Sequence, residues 1–295
     1  MRRCQARQAL VAVAVAARIG VMLERSSVFD HGGVAMHDVV CRHEAGRGDA
    51  VEPSDGHVIV FVRRGCFIRH ADGVQTVLDP TVAYCTHPGE EQRIDHPHHT
   101  GDQCTVLTVD ETIAASLWGG DQRFPVGPLP ISPAIDLEHR LLLTAARRAR
   151  DVDADELYEH AISLACTALT QRDPHRGASG RPTTQRARSQ IVNDTRELLA
   201  NDPNQSLPEL AQELAVSPHH LSRTFRSLTG HTISQHRLLL RVRAASERLN
   251  AGERDLARLS ADLGFADQSH LSRAIHQQTG HTPSMLRQLL TRSLA

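Results

Sequence analysis

The chain has 295 residues, 40% of them hydrophobic and 23% charged, with a formal net charge of −1; this excludes a disordered or membrane-embedded protein and leaves room for two domains. Aromatic residues make up 3%, so the cores must rest on Leu, Val, Ile and Ala. Every basic side chain is Arg, and from Thr183 onward 14 Arg stand against 10 acids while 19 Arg stand against 24 acids before it, a charge division that suits a back half meeting a polyanion.

In chain order, MRRCQARQALVAVAVAARIG begins with basic residues and an apolar run, Ala9 to Ala17, too short to span a bilayer. It is read as a frayed amphipathic helix, or as lying upstream of a start at Met22, in preference to an export signal. Residues 1–33 are thus expected to be an extension, disordered or helical. From Val34 to Val109, short β-branched or aromatic runs are broken by Arg-Gly, Ala-Asp-Gly, Asp-Pro and Pro-Gly, which predicts closely spaced strands in a barrel or sandwich. After FPVGPLPISP, residues 134–150 and 154–170 carry apolar residues at helical spacing. Their stripes suit packing on the strands or pairing of two copies equally well. Residues 171–190 are rich in Gly, Pro, Ser and Arg and are expected to be a linker.

All six cysteines (Cys4, Cys41, Cys66, Cys85, Cys104, Cys166) precede residue 191 and none forms a CxxC pair. They are read as reduced, buried thiols of a cytoplasmic protein. Convergence of Cys41, Cys66, Cys85 and Cys104 with His43, His57, His70 and His87, as a soft-metal or thiol sensor, is the less favoured reading.

Residues 191–295 are helical in pattern and contain a repeat. HLSRTFRSLTGHT starts at His220 and HLSRAIHQQTGHT at His270. In the first copy, Ser206 with Glu209 has the form of a capping box, Ser217-Pro218 restarts a helix, and Gly230 is placed to end it. Leu256, Leu259, Ser260 and Leu263 match first-copy positions at an offset of 49, and Leu271 and Ile275 match Leu221 and Phe225 at an offset of 50. The extra residue falls in the turn. Each copy is predicted to be a short helix, a tight turn and a second helix. The outward positions of the second helices are His219, His220, Ser222, Arg223 and Arg226, then Gln268, Ser269, His270, Ser272, Arg273 and His276. Short polar donors with Arg are the side chains that pair with base edges and phosphates. Two such units could enter successive major-groove segments of one duplex. Arg226, Arg237, Arg241 and Arg287 suit either phosphate contact or internal salt bridges.

Residues 191–290 resemble the AraC/XylS-type bacterial transcription regulators. LGFADQSHLSRAIHQQTGHTPSMLR carries the pattern with Gly264-Phe265, Ser269, Arg273, Gly280, Pro283 and Arg287, and the first copy adds Leu240-Arg241 and Ala245. Leu271 and Ile275 stand where Phe is usual, His276 where a basic residue is common, and His236 at a frequent Tyr position. The resemblance implies a seven-helix, homeodomain-like DNA-binding domain over 191–295, with His219, Ser222 and Arg223 in one reading helix and Gln268, Ser269, Ser272 and Arg273 in the other. Residues 34–170 resemble, less specifically, the cupin-like sensor barrel of such regulators, which binds an effector or pairs protomers. His96, His98 and Asp102 follow Gly89 much as a cupin metal motif would, and such a triad would suit iron. The spacing is one residue long, Asp replaces Glu, and no second motif follows, so turn histidines are preferred and no metal ligand is assigned.

The expected fold is α+β and multidomain: a cupin-like β-barrel with following helices, then an all-α domain with two helix-turn-helix motifs. The expected function is sequence-specific, DNA-binding regulation of transcription initiation in the cytoplasm, modulated by an effector or by dimer contacts. Duplex DNA is the expected partner; RNA polymerase, a small-molecule effector and a second copy are further candidates, and no membrane contact is expected. No GxSxG, Walker, GxGxxG or HExxH pattern occurs, so no catalytic residue, enzyme activity or cofactor is assigned. The alternative is a cupin-type metalloenzyme or metal/thiol sensor fused to a helical interaction domain.

Overall fold

Two antiparallel sheets form the front of the chain. The computed structural model describes residues 21–43, 51–97, 101–118, 124, 127–148, 153–171 and 182–291. Strands β1 (Val21–His31) and β2 (Val34–His43) form a hairpin around Gly32 and Gly33. Both glycines have positive φ, 61° and 83°, as the two-residue turns that match strand twist require. Next come β3 (Glu52–Pro53), β4 (His57–Arg64), β5 (Phe67–Ala71), β6 (Val74–Leu78), β7 (Val82–Thr86), β8 (Glu91–Asp95), β9 (Asp102–Val109) and β10 (Leu129–Pro130). One sheet has the order β1-β2-β9-β4-β7-β10 and the other β3-β8-β5-β6.

The expected closed barrel is therefore corrected to two stacked sheets: among the described residues no ladder joins them. The chain crosses between sheets at Gly65 (φ 86°). A Cβ there would strike the backbone of Gly101 and Asp102. The larger sheet is the middle layer. Ile59, Phe61 and Leu107 on one face join the core beneath α2 (Pro133–Arg147) and α3 (Ala154–Thr170). Val60, Val62 and Cys104 on the other face pack with Phe67, Leu78 and Tyr84. Burial on both faces explains why β4 reads HVIVFV without polar alternation. Helix α1 (Glu111–Trp118) follows β9.

Two boundaries differ from the sequence expectation. Residues 21–31, assigned to the extension, form β1, where Phe29 enters the core despite the polar stretch before it; residues 1–20 lie outside the described set. Residues 182–190, assigned to the linker, begin helix α4 (Pro182–Asn201). Pro182 opens that helix, where a missing N–H costs nothing. The apolar stripes of α2 and α3 are largely consumed within the chain: Ile135, Leu142, Leu143, Leu157, Leu164 and Leu169 are all buried.

The remaining helices are α5 (Leu207–Glu213), α6 (Pro218–Thr229), α7 (Ile233–Asn250), α8 (Leu256–Asp262), α9 (Gln268–Thr279) and α10 (Pro283–Thr291). They form two small cores. Leu199, Leu210, Leu221, Phe225 and Ile233 make the first. Val242, Leu249, Leu259, Leu271, Ile275 and Leu286 make the second, which also receives Leu137 and Leu141 of α2. Helix α7 contributes to both. The sheets and helices also meet through polar contacts. Asn193 of α4 accepts from Val77 N (3.2 Å) and donates to Gln75 O (2.8 Å), covering the exposed edge of β6. Arg140 of α2 donates to Asp136 (2.9 Å) and to Glu247 of α7, and Arg243 of α7 donates to Ile131 O. No helix among the described residues is long and apolar enough to cross a membrane.

Candidate nucleic-acid interface

The repeat is a structural repeat, down to single hydrogen bonds. Ser206 and Glu209 cap α5 reciprocally, satisfying two orphan N–H groups at its start. Asp255 caps α8 with one bond, to Arg258 N. Both short helices end alike: Val216 N donates to Ala211 O and Phe265 N to Ser260 O, each at 2.9 Å. The turn needs a left-handed residue. It is Gly264 (φ 70°) in the second copy and Ala215 (φ 52°) in the first. Only glycine takes that conformation without steric cost.

The second helices start at Ser217, which accepts from His220 N (3.2 Å), and at Asp267, which accepts from His270 N (2.6 Å). Leu221 and Phe225, or Leu271 and Ile275, anchor each helix at no exposure. The shared TGHT closes them. Gly230 and Gly280 are left-handed C-caps. Thr229 and Thr279 bond back to the carbonyls of Phe225 and Ile275 (2.7 and 2.8 Å) and accept from His231 N and His281 N (both 3.2 Å). Thr232 and Thr282 then cap α7 and α10.

This frame sorts the sequence-predicted residues. His219, Arg223 and Arg226 on α6, and Gln268, Ser269, Arg273 and His276 on α9, are exposed; Ser222 and Ser272 are half-buried at their flanks. Arg223 and Arg273 occupy equivalent positions, and among the described residues neither these two nor Arg226 has an internal hydrogen-bond or ion-pair partner. Arg237, Arg241 and Arg287 do. They donate to Gln205 O, Asn204 Oδ1 (2.8 Å) and Glu253 O (3.3 Å). Arg237, Arg241 and Arg287 thus each spend a guanidinium donor internally, whereas Arg223, Arg226 and Arg273 spend none among the described residues. His220 and His270 are half-buried, and the His270 ring has a structural part. His270 Nδ1 accepts from Ala266 N (3.4 Å) while its ring meets Phe265 edge-on, which leaves Nε2 as its N–H.

Sequence reasoning marked His236 only as a departure from Tyr and missed its contact with the front half. It is wholly buried, stacks edge-on against Phe225 of α6 (5.2 Å) and lies 3.1 Å from Asp79 Oδ2 of the front half. Burial opposes the charge of Asp79, but Arg196 and His236 beside it hold the carboxyl well below the usual range. Only a contact far apart in sequence gives this histidine its role, so no local signal could have flagged it.

In the front half, the cysteine–histidine convergence does not occur as a single site. Cys85 lies in the core under the helices, Cys104 between the sheets and Cys66 against α4. Burial pushes the Cys66 and Cys104 thiols far up. His70 pairs with Asp95 (2.7 Å) and His87 with Glu90 (3.1 Å). Of His96, His98 and Asp102, His96 and Asp102 are bonded at 2.6 Å and buried; His98 lies outside the described residues. His96 is thus not the surface or turn histidine expected.

Residues 210–289 match a family model described as a helix-turn-helix domain. Among curated proteins no similar sequence was found. The chain is similar to ToxT from Vibrio cholerae, at 11% identity and a TM-score of 0.34, over 88% of this chain and 98% of that one. It is also similar to the AraC-like transcriptional activator CuxR, at 16% identity and a TM-score of 0.39, over 74% and 79%. A third similar structure is the C-terminal domain of AraT, a response regulator from Geobacillus stearothermophilus, at 25% identity and a TM-score of 0.29, over 39% and 89%.

Proposed function

We propose that the protein is a DNA-binding transcription regulator of AraC type that reads one bipartite duplex site with α6 and α9; the match of residues 210–289 to a helix-turn-helix domain supports this reading. The observation that carries this reading is the pair Arg223 and Arg273: equivalent, exposed and without internal partners, on two helices held by the same caps and turns. Each guanidinium can donate two parallel bonds to guanine O6 and N7. Ser222, Ser269, Ser272, Gln268 and His219 supply shorter donors beside them. Arg226 is suited to a phosphate, with His220, His270 and His276 at the margins.

The front half then sets how the two heads are presented. Asp79 reaches His236 behind α6, and α2 packs against α9 and α10, so a shift of the sheets is felt by both reading helices. A small-molecule effector, a second copy of the chain and RNA polymerase are the partners this reading carries besides duplex DNA, and the cytoplasm is its compartment.

The test is selection of the purified protein against random duplexes at near-physiological salt, beside the Arg223→Ala/Arg273→Ala double variant. Enrichment of a two-part motif, with its halves about one helical turn apart, lost in the double variant, is expected. Absence of enrichment by a folded wild type, with and without candidate effectors, refutes the reading.

A further inference from the structure

The sequence motif pointed to His96, His98 and Asp102, but the structure gathers a different set. Cys41 of β2 and Asp102 of β9 are direct partners in the antiparallel ladder, so their side chains leave the same face of the sheet. His96 arrives from the other sheet, just past the end of β8, and its Nε2 lies 2.6 Å from Asp102 Oδ2. One donor atom each from Cys41, His96 and Asp102 lies within 4.8 Å of the other two. Cys104, two residues further along β9 and on the same face, donates its S–H to Asp102 Oδ1 at 3.3 Å. All four are more than nine-tenths buried: 5% exposed for Cys41, 7% for His96, 6% for Asp102 and 4% for Cys104.

A carboxylate and an imidazole placed between two sheets are costly unless their remaining lone pairs and protons are used. Two thiols beside them contribute little as hydrogen-bond partners, because S–H is a weak donor and sulfur a weak acceptor. As metal ligands, Cys41, His96 and Asp102 supply sulfur, nitrogen and oxygen at mutually close range, and Cys104 stands beside Asp102. We propose that Cys41, His96 and Asp102 hold a divalent transition-metal ion of zinc type, with Cys104 in the fourth position.

The donor chemistry selects the ion. Calcium and magnesium take oxygen ligands, whereas thiolate with imidazole suits zinc and its neighbours in the first transition row. Bonds of about 2.3 Å to sulfur and ~2.0–2.2 Å to nitrogen and oxygen place tetrahedral ligand atoms roughly 3.3–3.7 Å apart. The Cys41, His96 and Asp102 donors already lie within 4.8 Å of one another. Entry of the ion replaces the His96–Asp102 hydrogen bond, and those two atoms separate by about 1 Å to reach that tetrahedral spacing. Cys41 and Cys104 bind as thiolates, and the proton shared by His96 Nε2 and Asp102 is displaced as well, all three protons passing to solvent. The bound ion would tie β2 and β9 of one sheet to the end of β8 in the other. This proposal is independent of the DNA-reading proposal, because its readout is metal binding.

The test uses the full chain, reduced, stripped with chelator and titrated with Co²⁺ as a spectroscopic stand-in for Zn²⁺. One equivalent is expected to bind, with the visible bands of a tetrahedral site and a sulfur-to-cobalt charge-transfer band in the near ultraviolet. Cys41→Ser should weaken binding about tenfold or more and reduce that band, as ligand loss exceeds the effect of outer-shell changes. Asp102→Asn and His96→Gln should weaken binding similarly, and Cys104→Ser should reduce the sulfur band further. Cys166→Ser, at the one exposed cysteine among the described residues, should change nothing. Circular dichroism shows whether each variant is folded. Should a variant unfold, the wild type decides: Zn²⁺ should raise its melting temperature and chelator should reverse the rise. A wild type that takes up no ion at micromolar metal, or one whose ion is held equally well by folded Cys41→Ser and Asp102→Asn, overturns the proposal.

Discussion

Replacing His139 should remove an acid sensitivity from the fold. His139 lies on α2 with 2% of its surface exposed, stacked on Phe61 with ring centroids 4.6 Å apart. Its Nε2 has no hydrogen-bond partner among the described residues. Burial, helped by the nearby Arg140, Arg63 and Arg147 and opposed only by Asp136, lowers its pKa from 6.5 to about 3. The unfolded chain therefore takes up this proton first as the pH falls. The native state keeps its full stability above about pH 6.5 and loses it progressively as the pH drops toward about 3. Between pH 7 and 4.5 the loss from this one ring is roughly 2–3 kcal/mol, at about 1.4 kcal/mol per pH unit. The assay is urea unfolding of wild type and His139→Phe at a series of pH values in that window. Phe retains the ring stack, and any constant packing penalty cancels because only the slope with pH is read. Parallel slopes in the two proteins refute the argument, since they would mean that His139 protonates without leaving its pocket.

Phe225→Ala should cost about 3–5 kcal/mol, because that ring fills the first helical core at zero exposure; a fall in melting temperature reads it. Ala215→Gly should raise stability by about 0.5–1 kcal/mol and Gly264→Ala should lower it by about 1 kcal/mol, the opposite signs following from two equivalent left-handed turns; denaturant midpoints check both. In DNA binding, Arg223→Ala should cost about 1–3 kcal/mol and relax base preference at one position, whereas Arg226→Ala should weaken all duplexes alike and reduce the salt slope by about 1; titrations at several salt concentrations separate the two.

The helical half was legible because its instructions are local. Ser206 with Glu209, Ser217 before Pro218, and the two TGHT segments each act within a turn or two, and the structure uses them as read. The strands were legible in rhythm but not in extent. The polar residues between Glu24 and Ser27 hid the strand that precedes the Gly32-Gly33 turn. The linker reading misjudged Pro182, which starts a helix as readily as it ends one. The meeting of Cys41, His96 and Asp102 was legible only in pieces, since the sequence offered His96 with Asp102 in one pattern and Cys41 with Cys104 in another. Cys41 meets Asp102 only through the ladder between β2 and β9, and His96 joins only because the second sheet stacks there. The same holds for the arginines: Arg223 and Arg241 look alike in sequence, and only the position of Asn204 makes one a brace.

Helix α2 follows the strands in the chain, yet it inserts Leu137 and Leu141 into the second helical core and joins Arg140 to Glu247 of α7. The boundary of the repeat is therefore not the boundary of cooperative unfolding. A fragment starting at Pro182 would keep the apolar residues of the first core together while taking Asp79 from His236 and Arg196, and would leave the second core with an open apolar face and Glu247 without its cation. In the whole chain, hydrogen exchange in α9 and α10 should then report the opening of α2, and the second reading head should melt together with the sheets while the first retains a measure of autonomy.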